Sequence, residues 1–353
     1  MSSIYTNNIS LSIFGESHGP AIGCVLDNLP SGEFIDIDAV RSFMTRRAPK
    51  SDGTTTSRSE KDFVKIMSGL NGSHTTGTPL MALIENTDMH SGDYSNLNTL
   101  VRPGHADYTG AVRYKGFEDK RGGGHFSGRL TAPLCFAGAI AGQILERRSI
   151  YTGAYVKSIH SAKSSVVRVK TREDIINVRN KALTTLQHDL ILQARGQGES
   201  LGGVIECHTI NMPVGIGSPI FDGLESTIAR LVFAVPAVKG IEFGLGFKVS
   251  EITGSQNNDE FYIDDFGHTV TRTNNHGGIL GGISSGMPIV LRVAIKPTPS
   301  IAKPQKTVDI KNHTEEMLEI KGRHDPCIVP RAVPCIESSV NIALLSHLEE
   351  ARL

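Results

Sequence analysis

The residues best suited to chemistry lie in one stretch, residues 102–133, which reads RPGHADYTGAVRYKGFEDKRGGGHFSGRLTAP. Histidine, arginine and glycine are frequent there, and large aliphatic side chains are scarce. Such a segment adds little to a hydrophobic core, so its position inside a globular chain indicates a functional loop. Guanidinium groups and closely spaced backbone N–H groups are typical ligands of anions. The stretch therefore predicts a site for an anionic ligand.

Two parts of this stretch suggest different roles. His105 precedes Asp107, and a nearby carboxylate can fix the tautomer of an imidazole if the turn brings the two side chains together. Further on, the run Gly122-Gly123-Gly124 leads through residues 125–129 into an apolar segment that predicts a helix. Backbone N–H groups at a helix N-terminus favour anions. The alternative is a flexible glycine loop before a core helix.

Three more stretches combine turn residues with ligand-type side chains. FGESHGPAIG (14–23) contains His18; histidine suits proton transfer because its ordinary pKa is near neutrality, although a turn histidine can also cap backbone groups. KPTPS (296–300) is either a ligand contact or a plain turn at a strand end. In GRHDPCIVPRAVP (322–334), Asp325 either faces a bound anion or forms an internal ion pair with an arginine. The polar segment 45–62 likewise offers either anion contacts or a solvated linker.

Composition excludes several classes of protein. The 353 residues contain 36 basic and 36 acidic side chains, which argues against a general binder of nucleic acid or membrane surfaces. Five scattered cysteines fit neither a disulfide framework nor a zinc site, and the first residues lack the basic and apolar regions of a signal peptide, so we expect none. No GxGxxG, Walker loop or metal-ligand spacing occurs. We therefore expect a cytoplasmic protein without a metal.

The elements that must position these residues follow from apolar patterns and turn signals. We expect strands near 10–14, 22–29, 63–69, 79–86, 241–252 and 289–296. Helices are expected near 132–148, 171–194, 222–233 and 336–348. Residues 254–278 are predicted to form a polar loop, and residues 296–314 a linker.

A weak internal repeat accompanies this pattern. GCVLDNLPSG (23–32) resembles GGVIECHTINMPVG (202–215), and TGTPLMALIEN (76–86) resembles SGMPIVLRVAIKP (285–297). We expect one domain, residues 1–353, built from two related α+β halves at about 10–100 and 200–300. Each half would contain an antiparallel sheet with a packed helix, and a helical middle segment would join them.

Several of these motifs, in this order, closely resemble the chorismate synthase family from about residue 10 to residue 348. The matching motifs are GESHGPAIG, RPGHADYTGAVRY with RGGG and SxRxTA, NNHGGILGGISSGMPI, KPTPS and GRHDPCIVPRAVP. The resemblance implies an α+β fold, a β-α-β sandwich with a helical core between two antiparallel four-stranded sheets. It also implies a lyase that converts 5-enolpyruvylshikimate 3-phosphate (EPSP) to chorismate and phosphate by 1,4-anti elimination. This is the last common step of the shikimate pathway to the aromatic amino acids.

The resemblance further implies reduced FMN as cofactor, a homotetramer, and roles for individual residues. The implied catalytic residues are His18, His105 and Asp325. The implied cofactor contacts are His125, Phe126, Ser127, Pro236, Ala237, Gly281, Lys296, Pro297, Thr298, Pro299, Ser300 and Arg323. The implied contacts to substrate and its phosphate are Ser17, Arg46, Arg47, Arg58, Arg102, Ser127, Arg129 and Arg331.

The chain departs from the common family pattern after the glycine run. Arg-Ser-Ser-Ala-Arg-Glu is usual there, whereas this chain has His125, Phe126, Ser127, Gly128, Arg129 and Leu130. Two alternatives remain open. One is a bifunctional enzyme that reduces its own flavin with NADPH, although we expect NADPH to act only indirectly, through an external flavin reductase. The other is a flavin- or anion-binding protein without catalytic activity.

Overall fold

The computed structural model describes residues 3–55, 62–87, 99–320 and 324–350. Its strands are, in chain order, β1 (Ile4–Thr6), β2 (Ser10–Gly15), β3 (Ala21–Asp27), β4 (Val64–Ile66), β5 (Leu70–Asn71), β6 (His74–Thr75), β7 (Leu80–Glu85), β8 (Tyr151–Ile159), β9 (Ala162–Lys163), β10 (Gly203–Ile210), β11 (Val238–Phe243), β12 (Phe261–Ile263), β13 (Thr269–Thr271), β14 (Ile279–Leu280), β15 (Ile283–Ser284), β16 (Ile289–Ile295), β17 (Gln305–Asp309) and β18 (Thr314–Leu318). Its α-helices are α1 (Ile37–Thr45), α2 (Asp107–Arg113), α3 (Thr131–Arg147), α4 (Arg172–Arg179), α5 (Thr185–Gly196), α6 (Leu224–Phe233), α7 (Gly254–Asn257) and α8 (Val329–Glu350).

Two antiparallel sheets enclose a helical layer. The first sheet has the strand order β1-β2-β3-β7-β4, and the second has the order β11-β16-β10-β8-β9. Helix α3 packs on strands β2, β3 and β7, whereas α8 packs on β8 and β10. The predicted α+β sandwich is therefore confirmed. Each sheet has five strands rather than four, because the short edge strands β1 and β9 add to the larger ones.

The two central helices are buried around most of their circumference. In α3, nearly every side chain from Thr131 to Leu145 is buried, which agrees with a sequence rich in alanine and glycine and without an amphipathic period. Helix α8 is similarly buried from Val329 to Leu348. Within the described residues, no helix combines the length and the apolar character that spanning a membrane requires.

Helices α3 and α8 run parallel at very short range. Cys135 faces Cys335, and Gly138 faces Ser338, so residue numbers rise together on the two helices. A Cβ added to Gly138 would lie 2.1 Å from the Cβ of Ser338. The Asn341 side-chain amide donates to the Gly138 carbonyl at 3.3 Å. Only small residues permit such an approach of two helix backbones.

The two halves repeat individual hydrogen bonds. The neighbouring strands β3 and β7 of the first sheet correspond to β10 and β16 of the second. In the first half, the Thr75 hydroxyl donates to the Pro30 carbonyl, and in the second half the Ser284 hydroxyl donates to Pro213. We propose that the halves are related copies, since Pro30 and Pro213 align in the sequence repeat and Thr75 and Ser284 each stand directly before its second pair of segments.

The structure corrects two predicted elements in the second half of the chain. The helix expected at 171–194 is divided into α4 and α5, because Thr184 forms a capping box with Gln187 and starts a new helix. The strand expected at 241–252 ends at Phe243. Gly244, which has a φ of +55°, turns the chain there, and a 3₁₀ helix follows at Gly246–Glu251.

Three other boundaries also differ from the predicted ones. The segment 254–278, predicted as a loop, includes the hairpin β12–β13, and the predicted linker 296–314 includes strand β17 and pairs with β18. These strands are mostly exposed and polar or very short, so they lack an alternating apolar pattern. Helix α8 begins at Val329 instead of Ile336. Pro330 lies in its first turn, where proline is tolerated, and the helix also continues through Pro334.

The close contact of α3 and α8 generates a stability prediction. Gly138→Ala should destabilise the fold by about 2 kcal/mol or more, because its Cβ would overlap with Ser338, including its backbone. The free energy of unfolding in urea measures this. Gly196→Ala is the matched control, since Gly196 ends helix α5 with open space around it and should gain slightly from alanine. Equal stabilities of the two variants would contradict the packing described above.

Candidate active site

A cavity of about 540 Å³ lies at the N-terminal ends of α3 and α8. Its volume falls within the usual range for small-molecule sites. Its walls come from distant parts of the chain, near residues 47–49, 102–106, 122–131, 234–237, 296–300 and 324–335. Both central helices thus direct the positive ends of their dipoles at the same space, which favours a negatively charged ligand.

Most of the predicted site residues line this cavity. The implied catalytic residues His105 and Asp325 do so. The predicted anion contacts that do so are Arg47, Arg102, Arg129, Arg331 and Ser127. The predicted cofactor contacts that do so are His125, Phe126, Pro236, Ala237, Lys296, Thr298, Pro299 and Ser300.

A compact ionic cluster fixes His105. The Arg102 guanidinium donates to both carboxylate oxygens of Asp107, each at 2.7 Å. Nδ1 of His105 lies 2.6 Å from Oδ1 of Asp107. Since a carboxylate accepts, Nδ1 carries the proton and donates to it, which leaves Nε2 for other partners. The predicted arrangement of carboxylate and imidazole is therefore present, and it depends on a turn of only a few residues.

A buried carboxylate joins two cavity arginines. Arg47 donates to Oδ2 of Asp62 through Nε at 3.1 Å and Nη2 at 2.7 Å, and Arg129 donates to Oδ1. The side chains of these three residues are only 5–6% exposed. Burial alone would raise the pKa of Asp62, but the charges of Arg47 and Arg129 lower it below its usual value. Asp62 does not line the cavity, so it holds both guanidinium groups from behind.

A single amide connects Arg129 to the turn that carries His18. Oδ1 of Asn86 accepts from Nε of Arg129 at 3.1 Å. Nδ2 of Asn86 donates to the carbonyls of Glu16 and Gly19 at 3.0 and 2.8 Å. Asn86 is buried, and these three bonds use both ends of its amide. The His18 turn and the Arg129 guanidinium are therefore held in a fixed relation.

His18 itself lies just outside the cavity. It is 6% exposed and does not belong to the lining. A Cβ on Gly122, which does line the cavity, would lie 2.6 Å from its Nε2. The backbone N–H of Ser17 donates to the Gly124 carbonyl, and the Ser17 hydroxyl donates to the Arg121 carbonyl. The glycine run therefore forms the layer between this turn and the cavity.

The opposite wall combines a second ion pair with a lysine. Nη1 of Arg331 donates to Asp325 at 2.7 Å, and Nε of Arg331 donates to the Arg47 carbonyl at 2.9 Å. The internal pair of aspartate and arginine considered for this loop is thus present, and both of its members face the cavity. Lys296 donates to the Gly104 carbonyl. Burial, and to a smaller extent Lys239, lowers the pKa of Lys296.

The residues that depart from the family pattern are anchored to the protein. Nδ1 of His125 lies 2.8 Å from the Gly15 carbonyl, and its Nε2 lies 2.6 Å from the Ser3 hydroxyl. Nδ1 therefore donates to this carbonyl and Nε2 is bonded to the hydroxyl, so both ring nitrogens are occupied. The Phe126 ring packs against Gly110, where a Cβ would approach it to 2.7 Å.

Several predicted contacts are not brought to the cavity. Arg46 pairs with buried Glu337 at 2.9 Å and does not line the cavity. Gly281 lies in the exposed turn between β14 and β15, and Pro297 is exposed beside the cavity without lining it. Ser17 does not line the cavity, and its hydroxyl donates to the Arg121 carbonyl. Arg58 and Arg323, both predicted as ligand contacts, lie outside the described residues.

Sequence reasoning missed three residues that the site contains or depends on. Asp62 and Asn86 follow no motif, and only their contacts show that they support the cavity arginines. Cys335 lines the cavity, although it belongs to none of the motifs that predict ligand contacts. Among the described residues, no group of three or more histidine, cysteine or acidic side chains is arranged to hold a metal ion.

Together the fold and the cavity define a class of protein, an α+β enzyme with a preformed site for a polyanionic small molecule. Comparison with known proteins specifies the class. The family model for chorismate synthase matches residues 9–348. Chorismate synthase of Dehalococcoides mccartyi is 44% identical over 339 residues, covering 95% of this chain and 93% of the relative. Chorismate synthase of Thermococcus kodakarensis is 43% identical over 350 residues, covering 98% of this chain and 97% of the relative.

A solved structure agrees with these relatives. A crystal structure of a chorismate synthase matches with a TM-score of 0.75 and 26% identity, covering 97% of this chain and 92% of that one. The chain therefore belongs to the chorismate synthase family. As a member it is a lyase of the shikimate pathway.

The ionic cluster around Asp107 generates a prediction about pH. Burial raises the pKa of Asp107, but hydrogen bonds from Arg102 and His105 lower it well below its ordinary value. A carboxylate with a lowered pKa stabilises the fold above its unfolded pKa of about 4, and this contribution is lost as the pH falls. Asp107→Asn should therefore be less stable than the wild type at neutral pH, and the difference should narrow below about pH 4.

Urea unfolding at a series of pH values measures this difference. Asp38→Asn is the control, because the Asp38 side chain is 88% exposed in its pair with Arg41 and should change stability by less than about 1 kcal/mol. If the difference in free energy of unfolding between the wild type and Asp107→Asn stayed constant into the acid range, Asp107 would not be the titrating group.

Proposed function

We propose that this protein converts EPSP to chorismate and phosphate by a 1,4-anti elimination that requires reduced FMN. The observation that carries the proposal is the convergence of four arginines on one cavity in a member of this family: Arg47, Arg102, Arg129 and Arg331. EPSP carries a phosphate and two carboxylates, and guanidinium forks are the side chains best suited to bind such groups.

The arginines are prepared for binding by carboxylates that fix them. Asp62, Asp107 and Asp325 each hold one or two of them by hydrogen bonds. A guanidinium has five N–H donors, so donors remain for a ligand after these bonds are made. Because the side chains are already ordered, binding needs less loss of conformational freedom. We assign the substrate to the end of the cavity near Arg47 and Arg129.

The residues present also fit a flavin with a phosphate chain. Apolar contacts come from Phe126, Ala237 and Ile328, and Lys296 with the turn at 298–300 adds polar groups. Reduced FMN, when bound, would supply electron density to the C–O bond that breaks. The protein would orient flavin and substrate and exclude water from the site.

Three groups would hold or transfer protons. His105 donates through Nδ1 to Asp107, so its Nε2 is available to a carbonyl or nitrogen of the flavin. This contact would hold the reduced flavin in its proper protonation state. Asp325 would help to relay the proton at flavin N5. His18 would act as general acid for the departing phosphate, reached past Gly122, where glycine leaves room beside the imidazole.

The family resemblance also supports a homotetramer, which light scattering would test.

An anaerobic assay tests the reaction. Protein, EPSP and chemically reduced FMN should release phosphate and chorismate in equal amounts. No phosphate release would favour a protein that only binds flavin or anions. In a second arm, oxidised FMN with NADPH should give no turnover, because the sequence has no dinucleotide fingerprint. Turnover in that arm would show that the protein reduces its own flavin.

Two histidine variants test the assigned roles. His18→Ala and His105→Ala should each lose about 10²- to 10⁴-fold in kcat, the range for a general acid or base. His188→Ala is the control, because His188 is partly exposed on α5 and lies outside the cavity lining. Thermal unfolding verifies that each variant folds. An unchanged kcat in either site variant would remove that histidine from the mechanism.

A further inference from the structure

Two thiols from distant parts of the chain meet beneath the cavity. Sγ of Cys135 in α3 lies 3.7 Å from Sγ of Cys335 in α8. All five cysteines lie in described parts of the chain, all are buried, and none is in a disulfide. For the other three, Cys24, Cys207 and Cys327, no contact between sulfurs is found among the described residues. The reaction proposed above gives this pair no role.

The helix backbones lie very close together beside this pair. A disulfide requires Cα atoms about 4.4–6.8 Å apart and an S–S bond of about 2.05 Å. One turn further along the same parallel helices, Gly138 and Ser338 approach so closely that an added Cβ would be 2.1 Å from its neighbour. Beside this close approach of the two helices the sulfurs are already only 3.7 Å apart, so a short movement brings them to bonding distance.

The two thiols differ in access and in acidity. Cys335 belongs to the cavity lining, whereas Cys135 does not and is fully buried. A hydrogen bond from Cys135 lowers the pKa of Cys335 against the effect of burial, and Arg47 and Arg331 lower it further. Burial raises the pKa of Cys135. Cys335 is therefore the thiol that can react as a thiolate with a small molecule in the cavity.

We propose that Cys135 and Cys335 form an oxidative modification site, at which a peroxide that enters the cavity joins α3 to α8 through a disulfide. The Cys335 thiolate attacks one peroxide oxygen, and the O–O bond breaks. One water leaves after protonation, and Cys335 becomes a sulfenic acid. The Cys135 sulfur then attacks the Cys335 sulfur, the S–O bond breaks, and a second water leaves. Two thiols are oxidised, and one peroxide is reduced to two waters.

This inference depends on the cavity and the helix contact, and not on the proposed reaction. It holds equally if the cavity binds a different anion, because only a path for a small peroxide and the pairing of the two sulfurs are needed. Its test therefore needs no substrate and no flavin.

The experiment counts thiols in the folded protein after treatment with hydrogen peroxide. The treated protein is denatured and titrated with a thiol reagent; the count should fall from five to three and return to five after reduction. Tryptic peptides 130–147 and 332–352, each with one cysteine, should be found joined in the treated sample. Peroxide that leaves five thiols, or that oxidises thiols without this cross-link, would overturn the proposal.

Matched variants separate the pair from the other cysteines. Cys135→Ser and Cys335→Ser should each start with four thiols and form no disulfide, and Cys24→Ser should fall from four thiols to two. Unfolding midpoints confirm that the variants are folded before treatment. A disulfide that forms in Cys335→Ser as readily as in the wild type would also refute the assignment.

Discussion

The parallel contact between α3 and α8 is the constraint on which the rest of the structure depends. It holds the two sheets and the cavity together, because α3 packs mainly on the first sheet, α8 packs on the second, and both helices begin at the cavity. Parallel helix dipoles repel each other, so this arrangement has a cost that antiparallel packing would avoid. Close packing through Gly138 and Ser338 offsets that cost, and a negatively charged ligand at both N-termini would reduce it further.

The same constraint explains why the cavity arginines have acidic partners. Positive charge from several guanidinium groups and two helix N-termini would be unfavourable in a partly buried space. Asp62, Asp107 and Asp325 compensate part of it and, since they bind from behind or from the side, they also orient the donors toward the cavity. Buried Glu337 likewise pairs with Arg46 and Arg179, and none of these three residues lines the cavity. An arginine in a matching motif is therefore not sufficient to identify a ligand contact. The position of the carboxylate that pairs with it determines whether the guanidinium faces the cavity.

Local sequence was sufficient wherever the relevant partners are close in the chain. The pairing of His105 with Asp107, the apolar helix α3 and the strands that carry the repeat were all predictable from short segments. Contacts between residues far apart in the chain were not predictable in this way. The position of His18 behind Gly122 and the bond between Arg46 and Glu337 depend on residues about a hundred or more positions apart. Strand β17 was missed because its side chains are largely polar, so pairing with β18 determines its structure rather than burial.

The departures from the family pattern at 125 and 126 have a structural explanation in this chain. His125 uses both ring nitrogens to bind Gly15 and Ser3, and thereby fastens the cavity loop to strand β2 and the N-terminal segment. Phe126 packs on Gly110 of α2. Ser127 and Arg129, which keep the family pattern, face the cavity with their neighbours' backbone. An arginine at 125 would place a guanidinium where this chain has an imidazole with both ring nitrogens hydrogen-bonded. The changed residues therefore alter how the loop is held, while the groups that would meet an anion are retained.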